Sequence, residues 1–277
     1  MAKGVTRSWF RIALARPGES PILVAAEGEH LGAAIAAAEQ HLKGSFAIAC
    51  ERATDHIPLG ESVGKQHVVA LPDDVSATPV FRWPRGVLPR LDAGTQGKQG
   101  YTIHPDPKLL VIETQPEAGQ VVDVFLGLLE RLPSADNLEV RVLDHFENTG
   151  QTDVWLTSRV DGRRILAFLD DHDVDLIENG HVELSVYVRA HKATLRLTEH
   201  KTVVWLSDDD ALRGDIKKWL AELEMPPVDP FVTAAAGPHF HYRAPKSRDR
   251  VKLAEHLYRQ RLRRVDKVVP RAPDTDG

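Results

Sequence analysis

The amino-acid sequence predicts an α+β protein of two modules, each with helices packed on a mixed or largely antiparallel sheet, followed by a C-terminal basic amphipathic helix. Three observations predict this class. Alternating apolar and polar residues are typical of half-buried strands, and apolar residues spaced three to four apart are typical of amphipathic helices. The predicted elements run strand, helix, several strands, helix, which favours helices packed on one sheet. A segment rich in proline and glycine divides these elements into two groups.

The first group predicts a small α+β module over residues 1–75. Apolar residues alternate through residues 8–26 around a central turn with proline and glycine, which predicts a hairpin. Leucine, isoleucine and alanine recur at helical spacing over residues 29–43, which predicts one helix. Short apolar stretches at 46–50 and 66–71 predict further strands. The module is therefore expected to pack one helix against a sheet.

The second feature is the segment between the modules. Residues 72–107 contain six prolines and four glycines, a density that disfavours regular elements. We therefore predict a linker or long surface loop over residues 76–107. Within it, residues 80–83 have the composition of one short edge strand.

The main α+β domain is predicted over residues 108–225. Its first half contains apolar or alternating stretches at 108–113, 138–143 and 152–159, each typical of a strand. Between the first two strands, helical spacing over residues 116–132 predicts a helix with Pro116 in its first turn, where the missing N–H costs nothing.

The second half of this domain predicts two longer strands and a helix. Residues 182–188 alternate cleanly, and residues 195–206 form the expected partner, with Glu199 and His200 in its middle. The three aspartates at 208–210 sit where a helix N-cap is expected, ahead of an amphipathic stretch that ends at Met225. For residues 163–169 the pattern fits a short helix and a strand equally.

The last predicted region covers residues 226–277. Its first part, 226–244, is rich in proline and alanine and is expected to form a loop. Apolar residues at helical spacing predict a final helix over residues 247–268 with Ser247 as N-cap.

Composition limits the protein class. The chain has 277 residues, of which 42% are hydrophobic and 27% charged, and a single cysteine. This is enough apolar material for a buried core. One cysteine, Cys50, excludes an internal disulfide framework and a cysteine-based zinc cluster. The sequence shows no apolar run of membrane-helix length and no signal-peptide pattern, so we predict a cytoplasmic protein of bacterial type.

Charge is distributed unevenly along the chain. The formal net charge is −5, yet residues 243–277 carry eleven Lys/Arg against five Asp/Glu, a net +6 that leaves −11 on residues 1–242. Such asymmetry is typical of an interaction tail or of a tail that folds onto its own body. The predicted partner is therefore another protein with an acidic surface, or the chain's own acidic body. The candidate partner-binding residues are Arg248, Arg250, Arg259, Arg261, Arg263, Arg264 and Lys267.

His239 and His241 form the best metal-like motif. In an extended segment, residues two apart share a face, so both imidazoles can converge on one ion. A catalytic metal site needs a third ligand and an open position. His200 and Asp173 are candidates for the third ligand, although nothing in the sequence ties them to the pair. The alternative is two surface histidines in a proline-rich loop.

Other motifs are incomplete. Residues 60–65 lack the spacing and the Ser/Thr of a phosphate loop and are interpreted as a hairpin loop. The glycines at 94–100 lack the flanking strand and helix of a dinucleotide site. Residues 170–173 are interpreted as a solvated acidic loop. Residues 199–201, together with His181, Glu183 and His191, are interpreted as polar partners across a sheet face or, alternatively, as the source of a general acid–base pair. Cys50 is predicted to be a small buried hydrophobe.

No complete catalytic set is visible, and we predict no cofactor. The leading hypothesis is a non-enzymatic protein–protein interaction protein, either an adaptor subunit or an immunity-like inhibitor. The first alternative is a metal-dependent hydrolase that uses His239 and His241. The second alternative is nucleic-acid binding through the basic C-terminal helix, although few aromatic residues accompany its arginines.

Overall fold

The computed structural model of the chain describes residues 7–58, 60–74, 81–143 and 151–265. These residues form six helices and fifteen strands. The helices are α1 (Leu31–His41), α2 (Val121–Arg131), α3 (Gly162–Asp170), α4 (Asp173–Leu176), α5 (Arg213–Glu222) and α6 (Arg250–Arg259). The strands are β1 (Ser8–Ala15), β2 (Ile22–Gly28), β3 (Phe46–Arg52), β4 (Glu61–Val63), β5 (Gln66–Asp74), β6 (Val87–Pro89), β7 (Gly100–His104), β8 (Leu110–Gln115), β9 (Asn137–Val142), β10 (Asp153–Leu156), β11 (Val182–Val188), β12 (Ala193–Leu197), β13 (Val203–Ser207), β14 (His239–His241) and β15 (Arg263–Val265).

Antiparallel pairing dominates all three sheets of the described residues. One sheet has the order β3-β1-β2-β5-β4, and a larger one has the order β15-β10-β9-β11-β12-β13-β8-β7. A third sheet contains only β14 and β6. Every named strand pair is antiparallel. The predicted α+β class is therefore confirmed, with helices packed on antiparallel sheets and a helix near the C-terminal end.

Two large hydrophobic clusters fill the interior. The first lies on the five-stranded sheet, where the apolar face of α1 packs against β1 and β2. The second lies on the eight-stranded sheet, under α2, α3 and α5. Leu253 and Leu257 of α6 are buried in the second cluster. Removal of these apolar surfaces from water stabilises each sheet on its own helices.

The segment after α5 returns to the first cluster. Ala234 is buried there, and Phe240 and Tyr242 pack against it. β14 pairs with β6, so that His239 lies opposite Pro89 and His241 opposite Val87. This return brings residues that follow α5 along the chain next to β6 and the first cluster.

Several expected elements differ from the structure in their bounds. Residues 81–83 are not a strand; Phe81 and Trp83 are instead buried side chains of the first cluster. The α2 helix begins at Val121, so Pro116 precedes it rather than occupying its first turn. Residues 163–169, which fitted either type, lie in the α3 helix.

The expected single strand over 195–206 is two strands, β12 and β13, joined by a turn at residues 198–202. Thr198 accepts a backbone hydrogen bond from Lys201 and donates one to Thr202, which closes this turn. The expected N-cap role of residues 208–210 is also wrong. Leu212 is the N-cap of α5 and makes no side-chain capping bond.

The expected final helix over 247–268 is shorter than predicted. Its N-cap is Asp249, whose carboxylate accepts a hydrogen bond from the Lys252 N–H at 2.9 Å. The helix ends at Arg259 because Arg261 adopts a left-handed conformation with φ of 65° and Leu262 turns inward to a buried position. Leu262 and Val265 therefore continue the apolar pattern but lie outside the helix, Leu262 just before β15 and Val265 within it.

Candidate metal centre

Three histidines from two separate elements have their side chains close together. His200 lies in the β12–β13 turn of the eight-stranded sheet, whereas His239 and His241 lie on β14. As expected for an extended segment, the two β14 histidines share a face. Their ring nitrogens and that of His200 all lie within 4.8 Å of one another, and all three residues are partly buried. The structure thus brings together the predicted pair and one of the two expected third-ligand candidates.

The distances between the imidazoles are close to those of a metal-ligand set. The His239 Nε2 atom lies 3.1 Å from His200 Nε2 and 3.1 Å from His241 Nε2. Two nitrogens bound to tetrahedral zinc at about 2.0–2.1 Å lie about 3.3 Å apart. The ring centroids are separated by 4.8–5.2 Å and the rings are tilted by 54–74°. The His239 nitrogen therefore lies near ligand–ligand spacing from both of the other imidazoles.

The backbone fixes the tautomer of His239. Its Nδ1 lies 2.7 Å from the Gly237 carbonyl oxygen. Since a carbonyl only accepts, Nδ1 carries the proton and donates it. In the neutral ring, the Nε2 lone pair then faces the cluster, which is the arrangement that metal-binding histidines obtain from an outer hydrogen bond.

An acidic side chain adjoins the centre. Glu199 Oε1 lies 3.9 Å from His200 Nε2, and the Glu199 side chain is only 13% exposed. A carboxylate at this distance contributes negative potential, which favours a cation among the three imidazoles.

The residue that follows His200 is a fully buried lysine. The Lys201 Nζ donates hydrogen bonds to the carbonyl oxygens of Asn179 at 2.7 Å and Val182 at 2.9 Å. Burial lowers the pKa of Lys201 to about 7, against the opposing effect of Glu183, Glu199 and Glu178. Both the ammonium and the amine can donate to these carbonyls, so the two contacts do not depend on the charge.

The other expected chemical motifs lie elsewhere. Asp173 begins α4 and its carboxylate accepts from the Val174 N–H at 2.6 Å, outside the histidine cluster. His172 lies beside it and places its Nε2 3.1 Å from that of His256 on α6. Asp170 ends α3 and Asp173 begins α4, and the turn between these helices is solvated as expected, with Asp170 and Asp171 exposed.

Three further interpretations can be compared with the structure. Residues 60–65 include β4 and its turn to β5, which confirms the hairpin interpretation. Cys50 is fully buried on β3, and burial raises the pKa of its thiol. Glu183 on β11 forms an ion pair with Arg196 on β12 at 2.7 Å, as expected for polar partners across a sheet face.

The candidate partner-binding residues fall into two groups. Arg248 pairs with Asp175, and both Arg250 and Arg264 pair with Asp153, so these three bind the chain's own acidic body. The remainder of the set consists of exposed side chains or lies outside the described residues. Arg259 pairs with Glu255 one turn away on α6, Arg261 and Arg263 are exposed, and Lys267 lies outside the described residues.

No family model, no curated protein and no solved structure matches the chain. Among the described residues, no helix combines the length and the apolar character needed to cross a membrane.

Proposed function

We propose that the protein binds a divalent transition metal of the zinc type through His200, His239 and His241. The observation that supports this proposal is the convergence of three imidazole nitrogens within 4.8 Å. Imidazole ligands suit zinc, copper, nickel and iron, whereas magnesium and calcium prefer oxygen ligands. Three protein ligands also leave a fourth position for water or substrate, as in catalytic zinc sites.

A metal-dependent hydrolase is the activity that we propose for such a centre. When bound, the metal would supply a water molecule of lowered pKa as a nucleophile at neutral pH. The chain's own residues would hold the ion: His239 through its Gly237 hydrogen bond, and His200 through the β12–β13 turn.

Metal binding is tested first. The purified chain should bind one zinc or cobalt ion per protein by elemental analysis and calorimetric titration. Single substitutions of His200, His239 or His241 by alanine should weaken binding at least 100-fold, since each removes one of three ligands. His256→Ala is the matched control, because His256 belongs to a pair with the same 3.1 Å Nε2 separation, and among the described residues no third ligand joins that pair. Wild-type protein without stoichiometric metal contradicts the proposal.

Hydrolytic activity is tested separately. Zinc-loaded protein should cleave an activated ester or phosphodiester such as p-nitrophenyl acetate or bis(p-nitrophenyl) phosphate. Chelation or His239→Ala should remove that turnover, whereas His256→Ala should retain it. Stoichiometric metal without turnover on any such compound would restrict the function to metal binding.

A second candidate function is association with an acidic protein surface through α6. Val251 and Tyr258 on this helix are 69% and 74% exposed, with Lys252 and Arg259 beside them. Large exposed apolar side chains within a charged rim are typical of a protein interface. A partner from the native organism should bind the wild-type chain with an affinity that falls as the salt concentration rises. The same partner should not bind a Val251→Ser, Tyr258→Ser variant. Leu109→Ser, at an exposed leucine before β8, is the control that should retain binding.

A further inference from the structure

One short segment at the start of β11 contacts both halves of the candidate metal centre. This segment, residues 179–182, is named here the platform. On one side it accepts the two hydrogen bonds of Lys201, next to His200. On the other side its Gly180 N–H donates to the Tyr242 carbonyl at 2.9 Å, next to His241. The two ligand-bearing elements are therefore attached to the same four residues.

The Lys201 contacts hold the turn that carries His200. Lys201 is 0% exposed and has a left-handed backbone with φ of 63°. A buried amine or ammonium without acceptors costs roughly several kcal/mol. The Lys201 side chain therefore keeps its hydrogen bonds to the two platform carbonyls. Because His200 precedes Lys201 directly, these bonds also limit how far the His200 backbone can move.

Close backbone packing fixes the segment that carries His239 and His241. The Tyr242 N–H donates to the Gly86 carbonyl at 2.8 Å, in addition to the bond between its own carbonyl and Gly180. A Cβ atom on Gly180 would lie 1.9 Å from the Gly86 oxygen and 2.9 Å from the Tyr242 oxygen. Only glycine permits this approach, which keeps His241 at a fixed distance from the platform.

We infer that Lys201 is a positioning residue of the metal centre, which keeps His200 in register with His239 and His241 by binding the platform. The inference rests on the proposed function, since it presupposes that the three histidines bind a metal. Lys201 itself would not contact the ion. Outer-shell groups that orient metal ligands typically change metal affinity 10–100-fold when they are replaced, and we expect an effect of this size for Lys201.

The test uses the full chain with Lys201→Met, an unbranched side chain that is one heavy atom shorter and has no N–H donors. We expect a 10–100-fold weaker affinity for cobalt and zinc, and an altered visible absorption spectrum of the cobalt-loaded protein, because that spectrum reports ligand geometry. Arg250→Met is the control: it replaces another long basic side chain by methionine, but one that pairs with Asp153, outside the histidine cluster. That variant should lose stability and keep the wild-type affinity and spectrum.

Unchanged affinity and an unchanged cobalt spectrum in Lys201→Met would overturn the positioning role while leaving the proposed function intact. Wild-type protein without metal would overturn both. If Lys201→Met does not fold, amide hydrogen exchange of the wild-type chain with and without zinc tests the inference instead. Zinc should then slow exchange at the platform amides as well as at the turn and β14, and slowing confined to the turn and β14 would overturn the inference.

Discussion

His30 links the charge of one side chain to the stability of a helix. Its Nδ1 accepts a hydrogen bond from the Ala33 N–H at 3.3 Å and so caps α1. Burial, with the positive charge of Arg243, lowers the pKa of His30 to about 4. Between pH 6.5 and 4 the unfolded chain binds a proton at this residue that the folded chain does not. The free energy of unfolding therefore falls as the pH drops through this window.

A His30→Asn substitution should remove that part of the pH dependence. Asparagine keeps a side-chain acceptor at the N-cap but does not titrate. We expect the stability lost between pH 7 and pH 4.5 to be smaller than in the wild type by about 1 kcal/mol, after allowance for partial exposure. Urea unfolding at both pH values measures this difference. The same loss in both proteins would show that the cap does not titrate in this range.

At the scale of elements, α1 depends on a glycine for its packing. A Cβ on Gly32 would lie 1.9 Å from the Arg243 carbonyl oxygen, in the segment that follows β14. On α5, a Cβ on Gly214 would meet nothing within 4 Å. Alanine at position 32 therefore tests close packing of the helix, whereas alanine at position 214 tests helix propensity alone.

The paired substitutions Gly32→Ala and Gly214→Ala should have opposite signs. Alanine favours a helix over glycine by up to about 1 kcal/mol, so Gly214→Ala should stabilise the chain slightly. Gly32→Ala should destabilise it by about 1–3 kcal/mol, because the backbone of residue 243 must move. Urea midpoints at neutral pH measure both effects. Stabilisation by both substitutions would mean that α1 and this segment do not pack closely.

One carboxylate on the large sheet pairs with arginines of both α6 and β15. Asp153 on β10 is 7% exposed in its side chain and pairs with Arg250 at 3.0 Å and with Arg264. It therefore connects both α6 and β15 to β10. An acidic residue in this position explains how basic residues of the tail bind the acidic body.

Replacement of Asp153 by asparagine should cost about 1–3 kcal/mol of unfolding free energy, because two arginines lose a shared, largely buried partner. Asp210→Asn is the control: it breaks the exposed pair with Arg213 and should change stability by about 0.5 kcal/mol or less. Denaturant unfolding compares the two. Equal effects would show that Asp153 contributes no more than a surface charge.

At the scale of the whole molecule, the three candidate ligands come from two different sheets. His200 lies in the β12–β13 turn of the eight-stranded sheet. His239 and His241 lie on β14, which pairs with β6 and packs on the hydrophobic cluster of the five-stranded sheet. A metal bound only in the folded state stabilises it by mass action. Zinc binding should therefore stabilise both sheets together rather than one alone.

Zinc at 100 times its dissociation constant should add about 2.7 kcal/mol of stability. This corresponds to an increase of about 5–10 °C in the unfolding midpoint followed by circular dichroism. His239→Ala should abolish the increase, and His256→Ala should leave it unchanged. A wild-type midpoint that does not respond to zinc would argue against a metal that joins the two sheets.

Much of the fold could be predicted from local patterns. The alternation through β11, the hairpin of β1 and β2, and the helical spacing of α1 each reflect the burial of one face of a regular element. The differences arose where a local pattern continued past a tertiary boundary. The apolar spacing of α6 extends beyond Arg259, but the left-handed Arg261 and the burial of Leu262 end the helix there.

The sequence by itself determined that His239 and His241 share a face, because a separation of two residues in an extended segment requires it. Only the tertiary structure decided between His200 and Asp173 as the third member. His200 lies 39 residues before His239, and their meeting depends on the β12–β13 turn and on the pairing of β14 with β6. Such contacts come from the packing of whole sheets, which no local spacing along the chain encodes.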